Sequence, residues 1–201
     1  MSKTLNLLLF LFVIASCNDS NNRLFNSVDF KKTNIKFSNI LIENDSINIL
    51  NYEYFYNGAG VALADMNNDG LLDIFFTGNQ VDNELYLNKG NLIFENISNE
   101  AKISKTNPSI WSSGVSIIDI NNDGKLDIYI SNTLRKDKKL RKNLLYINQG
   151  VNNDEIPVFK EMSIEYNLSD DSYSSSSQFF DFDNDGDLDV FIGVSQINGM
   201  D

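Results

Sequence analysis

Three nine-residue segments of the chain place side-chain oxygen at the same spacing. They run Asp65-Met-Asn67-Asn-Asp69-Gly70-Leu71-Leu-Asp73, Asp119-Ile-Asn121-Asn-Asp123-Gly124-Lys125-Leu-Asp127 and Asp181-Phe-Asp183-Asn-Asp185-Gly186-Asp187-Leu-Asp189. Positions one, three, five and nine carry a carboxylate or an amide. Position seven (Leu71, Lys125 or Asp187) would add only its backbone carbonyl. Hard divalent cations take oxygen ligands, about six to eight for Ca²⁺, and a multi-carboxylate loop suits Ca²⁺ better than the smaller, geometrically stricter Mg²⁺. Glycine at position six permits the sharp turn that curls the chain around an ion. Without a cation, two carboxylates about 5 Å apart at an effective dielectric of 20 repel by roughly 3 kcal/mol. An Asn-Asp-Gly turn accounts for positions four to six by itself, but not for the flanking aspartates repeated three times. An EF-hand would need a glutamate at position twelve, where Phe76, Ile130 and Ile192 stand. The expectation is therefore up to three structural Ca²⁺ ions. A catalytic ion would keep an open position beside a nucleophile or base, and the sequence offers no such partner.

Composition narrows the remaining chemistry. The 201 residues contain no histidine and a single cysteine, Cys17. Histidine triads, the common zinc sites, thiolate clusters and internal disulfides are thereby excluded. The 16 basic and 28 acidic residues give a net charge of −12, which argues against a nucleic-acid partner. Apolar residues make up 42% and aromatics 11%, enough for a packed core.

The elements that position the loops are read from short apolar runs between turn signals. Val61 to Ala64, Val115 to Ile118 and Phe179 to Phe180 precede the loops, while Ile74 to Phe76, Ile128 to Ile130 and Val190 to Ile192 follow them. Such runs predict strands joined by the carboxylate loop. Two further strands, Glu84–Asn88 and Phe94–Ile97, match Asn143–Asn148 and Phe159–Met162. The starts of the loops lie 54 and 62 residues apart, so the repeat unit is a four-stranded antiparallel sheet. The expected fold is all-β, a partial β-propeller with two complete blades and part of a third, and with the Ca²⁺ loop between the first and second strand of each. The boundaries are 52–103 for blade one, 110–168 for blade two and 173–201 for partial blade three. Residues 24–35 are predicted to hold an orphan outer strand at Leu24 to Val28, because they repeat the pattern of the fourth strand.

The nine-residue loop and its flanking strands resemble the FG-GAP/VCBS repeat of integrin-like β-propellers. The phrases Tyr56-Asn-Gly-Ala-Gly-Val61, Asn83-Glu-Leu-Tyr-Leu-Asn88 and Phe94-Glu-Asn-Ile97 are similar to bacterial secreted members related to cartilage acidic protein. The resemblance spans residues 24–201. It implies a ring of blades with structural Ca²⁺ and a role in extracellular adhesion or ligand binding.

Residues 1–17 read as an export signal. Lys3 and the apolar run Leu5 to Ile14 lead to Ile14-Ala15-Ser16-Cys17. That run is too short for a stable membrane span. Its ending resembles the bacterial lipobox, which implies lipidation of Cys17, a membrane partner through that anchor, and a place on the outer membrane or cell surface of a bacterium. Residues 18–23 would be a polar tether. The expected function is a non-catalytic binding or adhesion module. It would present the face opposite the Ca²⁺ loops to an extracellular protein or glycan. Two features fall on that face, the basic loop from Ser131 to Asn143 and the insert Tyr52 to Tyr56; a solvated loop and strand packing are the plainer expectations for them. The alternatives are a fragment of a polysaccharide-active enzyme and a purely structural module.

Overall fold

The computed structural model describes residues 24–104, 107 and 109–195. Ten strands form three antiparallel sheets in chain order. The first sheet holds β1 (Val61–Ala64), β2 (Asp73–Phe76), β3 (Glu84–Asn88) and β4 (Phe94–Asn96), each paired to its sequence neighbour. The second repeats that meander with β5 (Trp111–Ile118), β6 (Asp127–Thr133), β7 (Leu144–Val151) and β8 (Pro157–Glu161). The third is the pair β9 (Ser174–Phe180) and β10 (Asp189–Val194). The fold is all-β, with sheets of propeller-blade type.

Alternation explains which residues enter the core. On β1, Ala64 is buried while Val61 and Leu63 point away from the second sheet. The first and second sheets share one cluster, in which Ala64, Met66, Phe75, Leu85 and Leu87 meet Ile128, Ile130, Tyr146 and Phe159. Tyr129, Leu145 and Ile147 on the second sheet's other face pack with Phe179 of the third. The second sheet is thus covered on both faces, and every residue of β6 is buried. The first strands of neighbouring sheets approach closely. A Cβ on Gly60 would lie 2.8 Å from the Ser113 carbonyl oxygen, and one on Gly114 would lie 2.7 Å from that of Ser175. These glycines occupy equivalent places in the repeat, so the missing side chain is what lets the first strands come together.

The predicted orphan strand at Leu24 to Val28 does not form. Leu24 and Phe25 are exposed, and among the described residues the regular structure nearby is a short helix α1 (Phe30–Thr33) capped by Asp29, whose carboxylate accepts from the Lys31 N–H at 2.9 Å. A strand needs a sheet edge to bond to, and none of the described sheets pairs with these residues. The following residues instead cross the outer side of the first sheet. Phe37 stacks on Phe76 with ring centroids 4.6 Å apart, the Lys36 N–H donates to the Tyr86 hydroxyl, and the Asn34 amide donates to the Phe94 carbonyl. The insert Tyr52 to Tyr56 is turns rather than strand, and packing claims its inner members: Tyr52 and Phe55 are buried against Trp111.

Candidate metal centre

The three loops are built by one hydrogen-bond pattern. The position-one carboxylates Asp65, Asp119 and Asp181 each accept two backbone N–H groups, from positions five and six, at 2.8–3.1 Å. Position five (Asp69, Asp123, Asp185) accepts the N–H of position seven (Leu71, Lys125, Asp187) at 2.8–3.0 Å. Position nine (Asp73, Asp127, Asp189) accepts the N–H of position two at 2.9–3.1 Å. Glycine at position six sits at φ +86°, +80° and +95°, with open space around it, so the backbone angle alone requires it there. Position four is Asn68, Asn122 or Asn184, at φ 60°, 55° and 61°, and asparagine tolerates that left-handed region best among the residues with side chains.

The second oxygen of position nine ties each of the first two loops to its sheet. Asp73 and Asp127 are fully buried. Their free oxygens accept the N–H of Asn88 and Asn148, both at 2.8 Å, on the third strand. Those asparagines close the loop from outside it: Asn88 donates its amide to the Leu72 carbonyl at 2.9 Å, and Asn148 donates to the carbonyls of Leu126 at 3.2 Å and of Met66, in the preceding sheet, at 2.9 Å. Sequence reasoning placed Asn88 and Asn148 only as strand ends. Their shared position before a glycine turn was the available signal.

Burial pushes the Asp73 carboxyl up to about 6; the N–H groups of Asn88 and Met66 oppose the rise, and the charges of Asp69 and Asp65 add to it. Burial likewise raises Asp127. In the second loop the Lys125 ammonium lies 2.7 Å from the Asp123 carboxylate and holds it below the usual range. In the third, hydrogen bonding to Asp185 and its charge raise Asp187.

Two observations test whether these donors fit a hard cation. In the third loop, Asp181, Asp183 and Asp189 each bring a carboxylate oxygen to within 4.8 Å of the other two. In the first, the Asn67 amide oxygen at position three is buried and accepts no hydrogen bond, although its amide nitrogen donates to Asp69 at 3.0 Å. A carboxylate has about four acceptor directions, so the aspartates that bind backbone N–H groups keep lone pairs for an ion. The donor set is all oxygen, and it fits.

At the opposite ends of the first strands lies a cavity of about 260 Å³, whose walls include Tyr52, Tyr54, Trp111, Gly60, Gly114 and Ser175. The basic loop beside it is largely a folded corner. Ser131 to Thr133 belong to β6 and are buried. The Arg141 guanidinium lies 4.2 Å over the Tyr173 ring and donates to the carbonyls of Arg135, Lys136 and Asp171, so it is held by the fold. Cys17, the expected lipidation site, and residues 1–23 as a whole lie outside the described residues.

Consecutive antiparallel four-stranded sheets, each turning through a carboxylate loop between its first and second strands, define a module of β-propeller blades. A family model described as FG-GAP-like repeat matches residues 65–130, from the first ligand position of loop one to three residues past the last of loop two. Over residues 65–130 the chain is thus similar to the FG-GAP repeat, the unit of integrin-like β-propellers. No curated protein matches the chain.

Proposed function

We propose that this protein is a calcium-stabilised, non-catalytic binding module, held at a bacterial surface through lipid on Cys17. The observation that carries the reading is the shared construction of the three loops, with oxygens converging in the third and a donorless amide oxygen waiting in the first. One Ca²⁺ per loop would take Asp65, Asn67, Asp69, the Leu71 carbonyl and Asp73, and the matching sets in the other two. Its part is structural: it neutralises the clustered charge and pins each inner hairpin. A site filled a hundredfold above its Kd adds about 2.7 kcal/mol to folding stability.

The face opposite the loops supplies the binding surface. Its cavity is walled by aromatic rings, hydroxyls and glycine backbone, with no carboxylate among the described residues of the wall. Aromatic faces flanked by hydroxyls suit the stacking and hydrogen bonding of a sugar ring. Half-exposed Tyr54 stands at its edge. An extracellular glycan is the partner this chemistry favours, with an extracellular protein as the other expected class.

Thermal unfolding in millimolar Ca²⁺ and in chelator tests the metal. A clear rise of Tm in Ca²⁺, larger than in Mg²⁺, is expected, and superimposable curves would refute it. Trp111 is the only tryptophan and lines the cavity, so its fluorescence reports occupancy directly. Oligosaccharide titration should change that emission, and Tyr54→Ala should weaken the response. For the anchor, Cys17→Ser should release the protein from membranes.

A further inference from the structure

The first and second loops are joined by hydrogen bonds that neither needs for its own turn. Asn148 makes one link. Its N–H donates to Asp127, position nine of the second loop, at 2.8 Å, and its side-chain oxygen accepts the Gly150 N–H at 2.9 Å. The hydrogens of its amide go to different loops: to the Leu126 carbonyl of the second at 3.2 Å and to the Met66 carbonyl of the first at 2.9 Å. Asn148 is 2% exposed, so the link is buried. Asn88, at the matching place of the first sheet, closes its own loop with the same bonds to Asp73, Gly90 and Leu72. The bond to Met66 is what Asn148 adds to closure.

Asn68 makes the second link, in the other direction. It is position four of the first loop, and its amide donates to the Gly124 carbonyl, position six of the second, at 3.1 Å. That carbonyl shares a peptide plane with the Lys125 N–H, which donates to Asp123 at 3.0 Å. The Asn68 bond thus orients the peptide leading into Lys125, whose own carbonyl is the position-seven oxygen. A cavity of about 180 Å³ lies between the loops and is walled by both, at Met66, Asn67, Asn68 and Lys125.

We infer that these links couple the first two ion sites, so that filling either loop raises the affinity of the other. The coupling presupposes the calcium sites proposed above. Met66 and Asn68 alternate with the ligands Asp65, Asn67 and Asp69, and Gly124 and Leu126 alternate with Asp123, Lys125 and Asp127. A loop drawn tight on an ion would hold these intervening residues still, and they present the groups that the neighbouring loop bonds. The second loop to fill would then lose less conformational freedom than the first. By linkage the effect is reciprocal. Direct repulsion between the ions opposes it, and salt at about 0.15 M screens that repulsion over about 8 Å.

Each loop has one glycine, at position six, so the backbone amide resonances of Gly70, Gly124 and Gly186 report the loops separately. The experiment is a Ca²⁺ titration of the full chain at about 0.15 M salt, followed by nuclear magnetic resonance. Asp69→Asn removes a ligand charge from the first loop. It should raise the Ca²⁺ midpoint read at Gly124, in the second loop, by at least about fivefold, the low end of ordinary coupling. In an Asn68→Gly or an Asn148→Ala background, the same substitution should shift that midpoint clearly less. The lost charge is common to all arms, so the difference isolates the links. Asn68 is exposed and left-handed, where glycine is at ease, so Asn68→Gly leaves the fold intact; circular dichroism verifies that of Asn148→Ala. A Gly124 midpoint indifferent to Asp69→Asn, or an equal shift in every background, would overturn the coupling and leave calcium binding standing. Glycine resonances that ignore Ca²⁺ altogether would overturn calcium binding and the coupling with it.

Discussion

Asp73 and Asp127 do more than offer oxygen to an ion. Each is buried and satisfies two backbone N–H groups, one within the loop and one on the third strand, so each belongs to the sheet as much as to the loop. Asp73→Ala strands both donors. It should cost about 2–4 kcal/mol in chelator as well as in calcium, as measured by urea unfolding. Asp69→Asn keeps the shape and removes a ligand charge, so its cost should be seen only in calcium. The raised Asp73 carboxyl sets the pH response. Its folded value of about 6 lies above the unfolded value of about 3.9, so between them the native state binds more protons. Metal-free protein should therefore gain stability from this group as pH falls from 7 toward 5. Calcium-loaded protein should lose stability over the same window, because protons displace the ion. Tm against pH in the two buffers separates the cases. Lys125 already neutralises Asp123, so Lys125→Ala should tighten calcium at the second loop, while the four ligand carboxylates of the third make it the tightest site by calorimetry.

Among the elements, the first strands are closely constrained by their neighbours. Gly114→Ala would drive a methyl group to 2.7 Å from the Ser175 carbonyl oxygen, a backbone atom that cannot rotate away. Sheets two and three would have to part, at a cost of about 1–3 kcal/mol by thermal unfolding. Asn148 matters at the same scale, because its amide bridges its own loop and the Met66 carbonyl of the preceding sheet. Asn148→Ala should loosen both loops together.

In the molecule as a whole, protection should follow coverage. The second sheet has neighbours on both faces and a wholly buried β6, whereas the third has two described strands and an exposed aromatic face. Amide hydrogen exchange should be slowest in β6 and faster in β10. Equal protection across the three sheets would contradict this ordering.

The repeat of aspartate, asparagine and glycine determined the strand–loop–strand plan by itself, because carboxylate spacing, left-handed turn positions and alternating apolar runs are local properties of the chain. It also placed β3, β4, β7 and β8, since the same phrases recur in the same order after each of the first two loops. Leu24 to Val28 misled for that very reason: a strand pattern is local, but a strand exists only where an edge accepts its hydrogen bonds. Tertiary structure alone revealed that Asp73 and Asp127 are buried anchors and that Asn88 and Asn148 close their loops. It also decided that Arg141 is held by the fold while Leu63 and Phe191 face outward. Each of these depends on what another segment, far along the chain, brings to the same place.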